Sequence, residues 1–170
     1  MKKNTYAVYG FATAILMIIV GTLITYEGAA LRTGMTWLVE IPFFVGILLN
    51  AGAYSRANNN YVTFGSVFKS CFMAVLIVMV VRLAWIPVSD HLFPHMKEQA
   101  LASMREKMAK NPSANDEQVD MMTNMFTKFW GLIVIFGVVI GTLFMGAIYS
   151  VIAAAVVKKD GMPMPQGDNF

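Results

Sequence analysis

The chain has 170 residues, 57% of them hydrophobic and only 14% charged, against about 25% charged in an ordinary soluble domain. That balance excludes an ordinary soluble domain and selects the membrane class, and the length allows one bundle, 1–170, with no room for a separate catalytic domain. The net charge of +3 does not indicate nucleic acid, because the basic residues flank apolar segments or lie among acidic ones.

A first membrane span is predicted over 6–26, preceded by Lys2 and Lys3 and closed by Glu27. As a helix it reaches about 31 Å, enough for a hydrocarbon core of about 30 Å. Gly28, Ala29 and Ala30 permit a competing reading as a signal peptide, against which the apolar core is too long. A short connection with Arg32 and Gly34 leads to a second span over 35–54, with Trp37 and Tyr54 as interfacial anchors. So short a loop makes the first two spans antiparallel neighbours. Arg56 and Asn58, Asn59 and Asn60 form a polar turn.

The third span is expected over 67–87, with Lys69 snorkelling to the headgroups and an end at Trp85, Ile86 and Pro87. The single cysteine, Cys71, starts its apolar run, which predicts burial and no internal disulfide. Residues 88–128 are the one sizeable polar segment. Met96, Ala100, Met104 and Met108 recur every fourth residue, with Lys97, Glu98, Arg105, Glu106 and Lys107 on other faces, so an amphipathic helix is predicted. Asn111, Pro112 and Ser113 break it. Asn115 and Gln118 then start a second helix, whose stripe of Val119, Met122, Phe126 and Phe129 leads directly into a fourth span over 129–157. That span is longer than the bilayer core requires and should tilt or protrude. Lys158 and Lys159 stop it, and the Gly- and Pro-rich tail, 160–170, is expected to be disordered.

With four spans both termini share a side. A bare count of Lys and Arg is a tie, but Lys2 and Lys3 directly precede the first span and Lys158 and Lys159 directly follow the last, so both termini are expected in the cytoplasm. This layout, with the stretch Tyr61, Val62, Thr63, Phe64, Gly65, Ser66, Val67, Phe68, Lys69 before span three, resembles a family of small four-span bacterial membrane proteins. The family is domain of unknown function number forty-one ninety-nine, frequent in Bacteroidota. A lysine-rich start, a Thr-Phe-Gly segment before span three and a Met- and Glu-rich segment before span four carry the resemblance. It implies a bacterial inner-membrane location and assigns no activity or functional residues.

Glu40 and Arg82 are the two charges inside predicted spans. An ionisable group at mid-bilayer costs about 2.5–3.5 kcal/mol on insertion scales and usually faces a partner or a cavity. Antiparallel spans place these two at similar depth, so a structural ion pair is the first reading and a solute pathway the second. His91 and His95 have helical spacing for a metal, but Pro94 intervenes and most naturally starts a new helix that leaves His91 outside. Methionines such as Met121 and Met125 could ligate copper(I), although an adaptable apolar face explains them better. No metal, cofactor or catalytic residue is therefore expected. Gly137 and Gly141 form a GxxxG pair, with Gly146, Ser150 and Ala154 following at small-residue spacing; packing within the bundle is the first expectation and pairing between copies the second. No phosphate loop, dinucleotide fingerprint, HExxH or nucleophile elbow is present.

The fold class expected is all-α: four transmembrane helices, with an extracytoplasmic helical hairpin between spans three and four. The first functional expectation is a non-enzymatic accessory or assembly component that docks a protein partner or lipid through 88–128. The second is a small transporter or channel using Glu40 and Arg82, and a membrane enzyme comes third. A cavity reaching Glu40 would favour transport, and clustered polar groups in a pocket an enzyme; an accessory protein needs neither.

Overall fold

The computed structural model describes residues 4–26, 37–109 and 115–157. Among these the chain is all α-helical: α1 (Thr5–Tyr26), α2 (Trp37–Ala57), α3 (Phe64–Leu92), α4 (His95–Ala109) and α5 (Asp116–Val156). α1, α2, α3 and α5 are long and apolar enough to cross a membrane. At 1.5 Å per residue, α1 and α2 match a hydrocarbon core of about 30 Å, whereas the 41 residues of α5 reach about 62 Å, roughly twice what a crossing needs. The size pattern is inverted relative to a soluble bundle. Phe11, Leu23, Leu49, Val80, Phe136 and Phe144 stand exposed on outer faces, while Ala14, Ala51, Ala74, Ala153 and Ala154 are buried. Lipid solvates the large side chains as well as a core would, so small residues take the inside, where they let backbones approach.

The connection from α2 to α3 is set by backbone chemistry. Asn59 and Asn60 take positive φ, 53° and 62°, a conformation that Asn tolerates better than other residues with a Cβ. The Asn60 N–H donates to the Ser55 carbonyl at 2.8 Å, and Asn58 Nδ2 to the Tyr54 carbonyl at 2.8 Å. The Thr-Phe-Gly stretch then proves to be a helix start. Thr63 Oγ1 accepts from the Ser66 N–H at 3.2 Å and Ser66 Oγ from the Thr63 N–H at 3.1 Å, a reciprocal box that satisfies two otherwise orphaned donors. α3 thus begins at Phe64, three residues before the predicted span.

Its other end also differs from expectation. α3 does not stop at Pro87 but runs through it to Leu92, so His91 lies in its last turn. A proline removes one backbone donor, and the next turns are held by Ser89 Oγ donating to the Ile86 carbonyl at 2.8 Å and by the Phe93 N–H donating to the Ser89 carbonyl at 2.8 Å. Pro94 precedes α4 rather than entering its first turn. Asn115 caps α5, its Oδ1 accepting from the Gln118 N–H at 2.8 Å. From there one helix continues into the fourth span, interrupted by non-helical angles at Phe129 (φ −108°, ψ 17°), the residue at which that span was expected to begin. α4 packs along the first part of α5. Arg105 Nε donates to the buried Thr123 Oγ1 at 3.3 Å, and the Arg105 guanidinium lies 4.0 Å from exposed Asp120. Amide exchange in lipid over α4 and over α5 as far as Phe126 should therefore show helical protection; uniformly fast exchange would contradict the fold of these two helices. The expected break at 111–113, the lysines Lys2, Lys3, Lys158 and Lys159, the small residues Gly28 to Ala30, Arg32, Gly34 and Met35, and the tail fall outside the described residues.

The crossing helices alternate in direction. α3 is central, packing on α1, α2 and α5, and α2 also touches α5. Three glycines mark the closest approaches. A Cβ on Gly10 would stand 3.0 Å from the Ala74 carbonyl oxygen, one on Gly46 would overlap Thr13, and one on Gly146 would overlap Val75. Gly137 and Gly141, expected at a packing face inside the bundle, are not there: both are exposed, with no atom within 4 Å of where a Cβ would sit. Helical phase explains the correction. Gly146 follows Gly141 by five residues, about 500° of rotation, which leaves the two faces about 140° apart. The inward face of α5 is Thr142, Gly146, Ser150, Ala153 and Ala154.

Candidate functional site

The tight core occupies one end of the bundle, where Phe43, Ile47, Ala51, Val67, Cys71, Ala74, Val75, Val78 and Ala154 are buried together. Asn50 is fully buried there, its Nδ2 donating to Ser70 Oγ at 3.4 Å and to Cys71 Sγ at 3.7 Å. Towards the other end the helices part. Between Thr123 and Thr142 no residue of α5 is buried, and Leu132, Ile133, Phe136 and Ile140 face outwards. The separation leaves a cavity of about 460 Å³.

Every helix contributes to its wall. α1 supplies apolar Met17, Ile18 and Ile24 together with Gly21, Thr22 and Thr25, whose small side chains leave the volume unfilled, and α2 supplies Val39 and Glu40. Arg82, Trp85, Ile86 and Ser89 come from α3, Met96 from α4, and Val134 and Val138 from α5; Phe93, between α3 and α4, lies at the same end. A cation, an anion and several hydroxyls thus share one otherwise apolar cavity. Thr22 Oγ1 is buried with no hydrogen-bond partner among the described residues.

Glu40 and Arg82 do meet at this one site, but not as the expected ion pair, since their charged atoms are more than 4.0 Å apart. Each is held separately by α5. Arg82 Nη1 donates to Thr142 Oγ1 at 2.9 Å, and the Tyr149 hydroxyl donates to Glu40 Oε2 at 3.3 Å. Thr142 and Tyr149 are seven residues apart (149 − 142), so their anchoring points differ by about 10 Å along α5 on nearly the same face. The contacts on α5, not the span ends, set the relative depths: α3 ends five residues past Pro87 and α2 starts three residues before Glu40, so the two helix ends give no common boundary. Arg82 lies nearer the α4 end and Glu40 deeper.

Tyr149 is fixed edge-on between Phe43 (5.3 Å between centroids) and Phe44 (5.1 Å). Behind Glu40 a second groove of about 360 Å³ opens between α2 and α5, lined by Trp37, Ile41, Phe44, Tyr149 and Ile152. Glu40 borders both spaces. Thr142, Tyr149, Thr22 and Asn50 were not anticipated from sequence. A hydroxyl or amide inside a strongly apolar span was the available signal, but one too common to select among many.

The other sequence candidates do not assemble. His95 Nδ1 sits 3.8 Å from Glu98 on an exposed surface, apart from His91 on α3. Among the described residues no group of three or more His, Cys, Asp or Glu side chains comes together. Met121, Met122 and Met125 are exposed.

A family model described as "Protein of unknown function (DUF4199)" matches residues 5–159, nearly the whole chain. No curated protein and no solved structure matches it.

Proposed function

Because the chain belongs to the family described as a protein of unknown function (DUF4199), which brings no activity with it, we propose a function from the cavity: it is a non-enzymatic, solute-binding protein of the transporter class. One observation carries this reading. A cavity of about 460 Å³ reaches Glu40 and Arg82, and neither forms a salt bridge among the described residues. That volume is within the usual range for small-molecule sites, about 300–1,000 Å³. An accessory protein working through an external surface has no need of such a space, so the geometry favours the transporter expectation over the assembly one. Covalent catalysis would need a nucleophile held by a base, whereas the Thr25 and Ser89 hydroxyls of this cavity donate to the Gly21 and Ile86 carbonyls.

The family resemblance and the apolar helices support the bacterial inner membrane as the site of action. The lysine pairs at either end of the chain favour cytoplasmic termini, which would open the cavity to the periplasmic side. A reporter active only in the cytoplasm should then work when fused after Lys159 and fail near Ser113; the reverse would invert the assignment. Cavity access is tested with single cysteines in a Cys71→Ala background. Thr22→Cys and Ser89→Cys should react with a membrane-impermeant maleimide added outside spheroplasts, whereas Leu16→Cys and Ile140→Cys, on outer faces, should not. An unreactive Thr22→Cys in a folded protein would remove the proposal.

A further inference from the structure

Resting on that reading of the cavity, we infer that its solute is a zwitterion: a molecule with an ammonium group and a carboxylate or phosphate, joined to an apolar body. Arg82 uses one N–H donor, on Thr142, and the rest have no partner among the described residues. Glu40 accepts from the Tyr149 hydroxyl and from no cation among the described residues. Two opposite charges thus line one cavity without forming a salt bridge to each other.

In apolar surroundings each charge is costly until it is paired. An anionic solute would pair Arg82 and leave Glu40 unneutralised beside an imported negative charge, and a cationic solute would do the converse. A zwitterion pairs both and imports no net charge. Its direction follows from the two anchors on α5: the anionic group lies at Arg82, nearer the α4 end, and the ammonium lies deeper, at Glu40. A guanidinium presents parallel donors that suit a carboxylate or phosphate. Met17, Ile18, Trp85, Val134 and Val138 give the remaining wall its apolar character and accommodate the body of the molecule.

The chemistry is shared by free amphipathic amino acids and by the phosphoethanolamine headgroup of a phospholipid. Both sources are tested through protection of Thr22→Cys from the maleimide, using the full chain in vesicles of phosphatidylglycerol alone. L-leucine and sn-glycero-3-phosphoethanolamine, a phosphodiester with one negative and one positive charge, are the zwitterionic probes; leucinamide carries only the cation and 4-methylpentanoate only the anion. A zwitterionic probe should protect at a concentration at least about tenfold lower than either singly charged analogue. Glu40→Gln should bring 4-methylpentanoate level with leucine, and Arg82→Gln should do the same for leucinamide. Protection by a soluble probe assigns the site to a free zwitterion. Protection that appears only when phosphatidylethanolamine is added to the vesicles assigns it to that headgroup. Equal protection by the singly charged analogues, or none from either source while Thr22→Cys still reacts, overturns the inference and leaves the solute-binding reading standing. The unsubstituted Glu40 and Arg82 protein gives the decisive comparison by itself, so a variant that fails to fold does not protect the inference from refutation.

Discussion

Replacing Gly146 with alanine should destabilise the bundle by about 1–3 kcal/mol, the usual range for overpacking a well-filled core. The added methyl would overlap Val75, which is fully buried and too short to swing away, and would stand 3.1 Å from the Phe43 ring. α5 would then have to move off α3 at the contact that holds the closed end together. Gly137→Ala and Gly141→Ala should instead be neutral or slightly stabilising, by up to about 1 kcal/mol, because alanine is the better helix former and nothing stands in its way. Unfolding of the purified protein in mixed detergent reads all three. A loss at Gly141 as large as at Gly146 would mean that the outward face is covered in the membrane by another helix, such as one from a second copy.

Arg82→Met should make the protein more stable and less able to bind. Removing an intramembrane arginine recovers about 2.5–3.5 kcal/mol on insertion scales, and against this stands the hydrogen bond to Thr142, worth about 1.5–3 kcal/mol for a charged donor. The net gain should be about 1 kcal/mol, with protection of Thr22→Cys by a zwitterionic probe lost. Had Arg82 been in direct contact with Glu40, the sign would reverse, since breaking a buried pair costs about 3–5 kcal/mol. A destabilisation of that size would therefore show that the two charges close on each other in the bilayer. Thr142→Val separates the contributions: with Arg82 retained it leaves the guanidinium without its one hydrogen-bond partner among the described residues, so it should be more destabilising than the same substitution made on top of Arg82→Met.

A charge held by a hydroxyl in place of a counter-ion is a common compromise at functional sites, where local stability is given up for a group left ready to bind. The division of the bundle has the same character. At its closed end Ala51, Ala74, Ala154 and Gly146 permit close approach around Phe43, Ile47 and Val75, while the open end carries Gly21, Thr22 and Thr25 on α1 opposite Val134 and Val138 on α5, side chains too small to meet across the space.

The sequence by itself determined the all-helical class, the four apolar segments and the family, because each depends on local composition and on hydropathy over a window about as long as a bilayer is thick. It also located Glu40 and Arg82, since a charge inside an apolar run is conspicuous without any fold. The ends of α3 and the relative depths of the two charges were decided elsewhere. A capping box at Thr63 and Ser66 starts that helix early, and passage through Pro87 ends it late, so the pairing inferred from span ends became two separate contacts with α5. Which glycines pack was likewise a tertiary matter: Gly137 and Gly141 carry the stronger motif, but the five-residue step to Gly146 turns their face to the outside. The cavity itself has no sequence signature. It arises where α5 parts from the bundle, and a void depends on the mutual placement of all the helices, which periodicity along one of them does not encode.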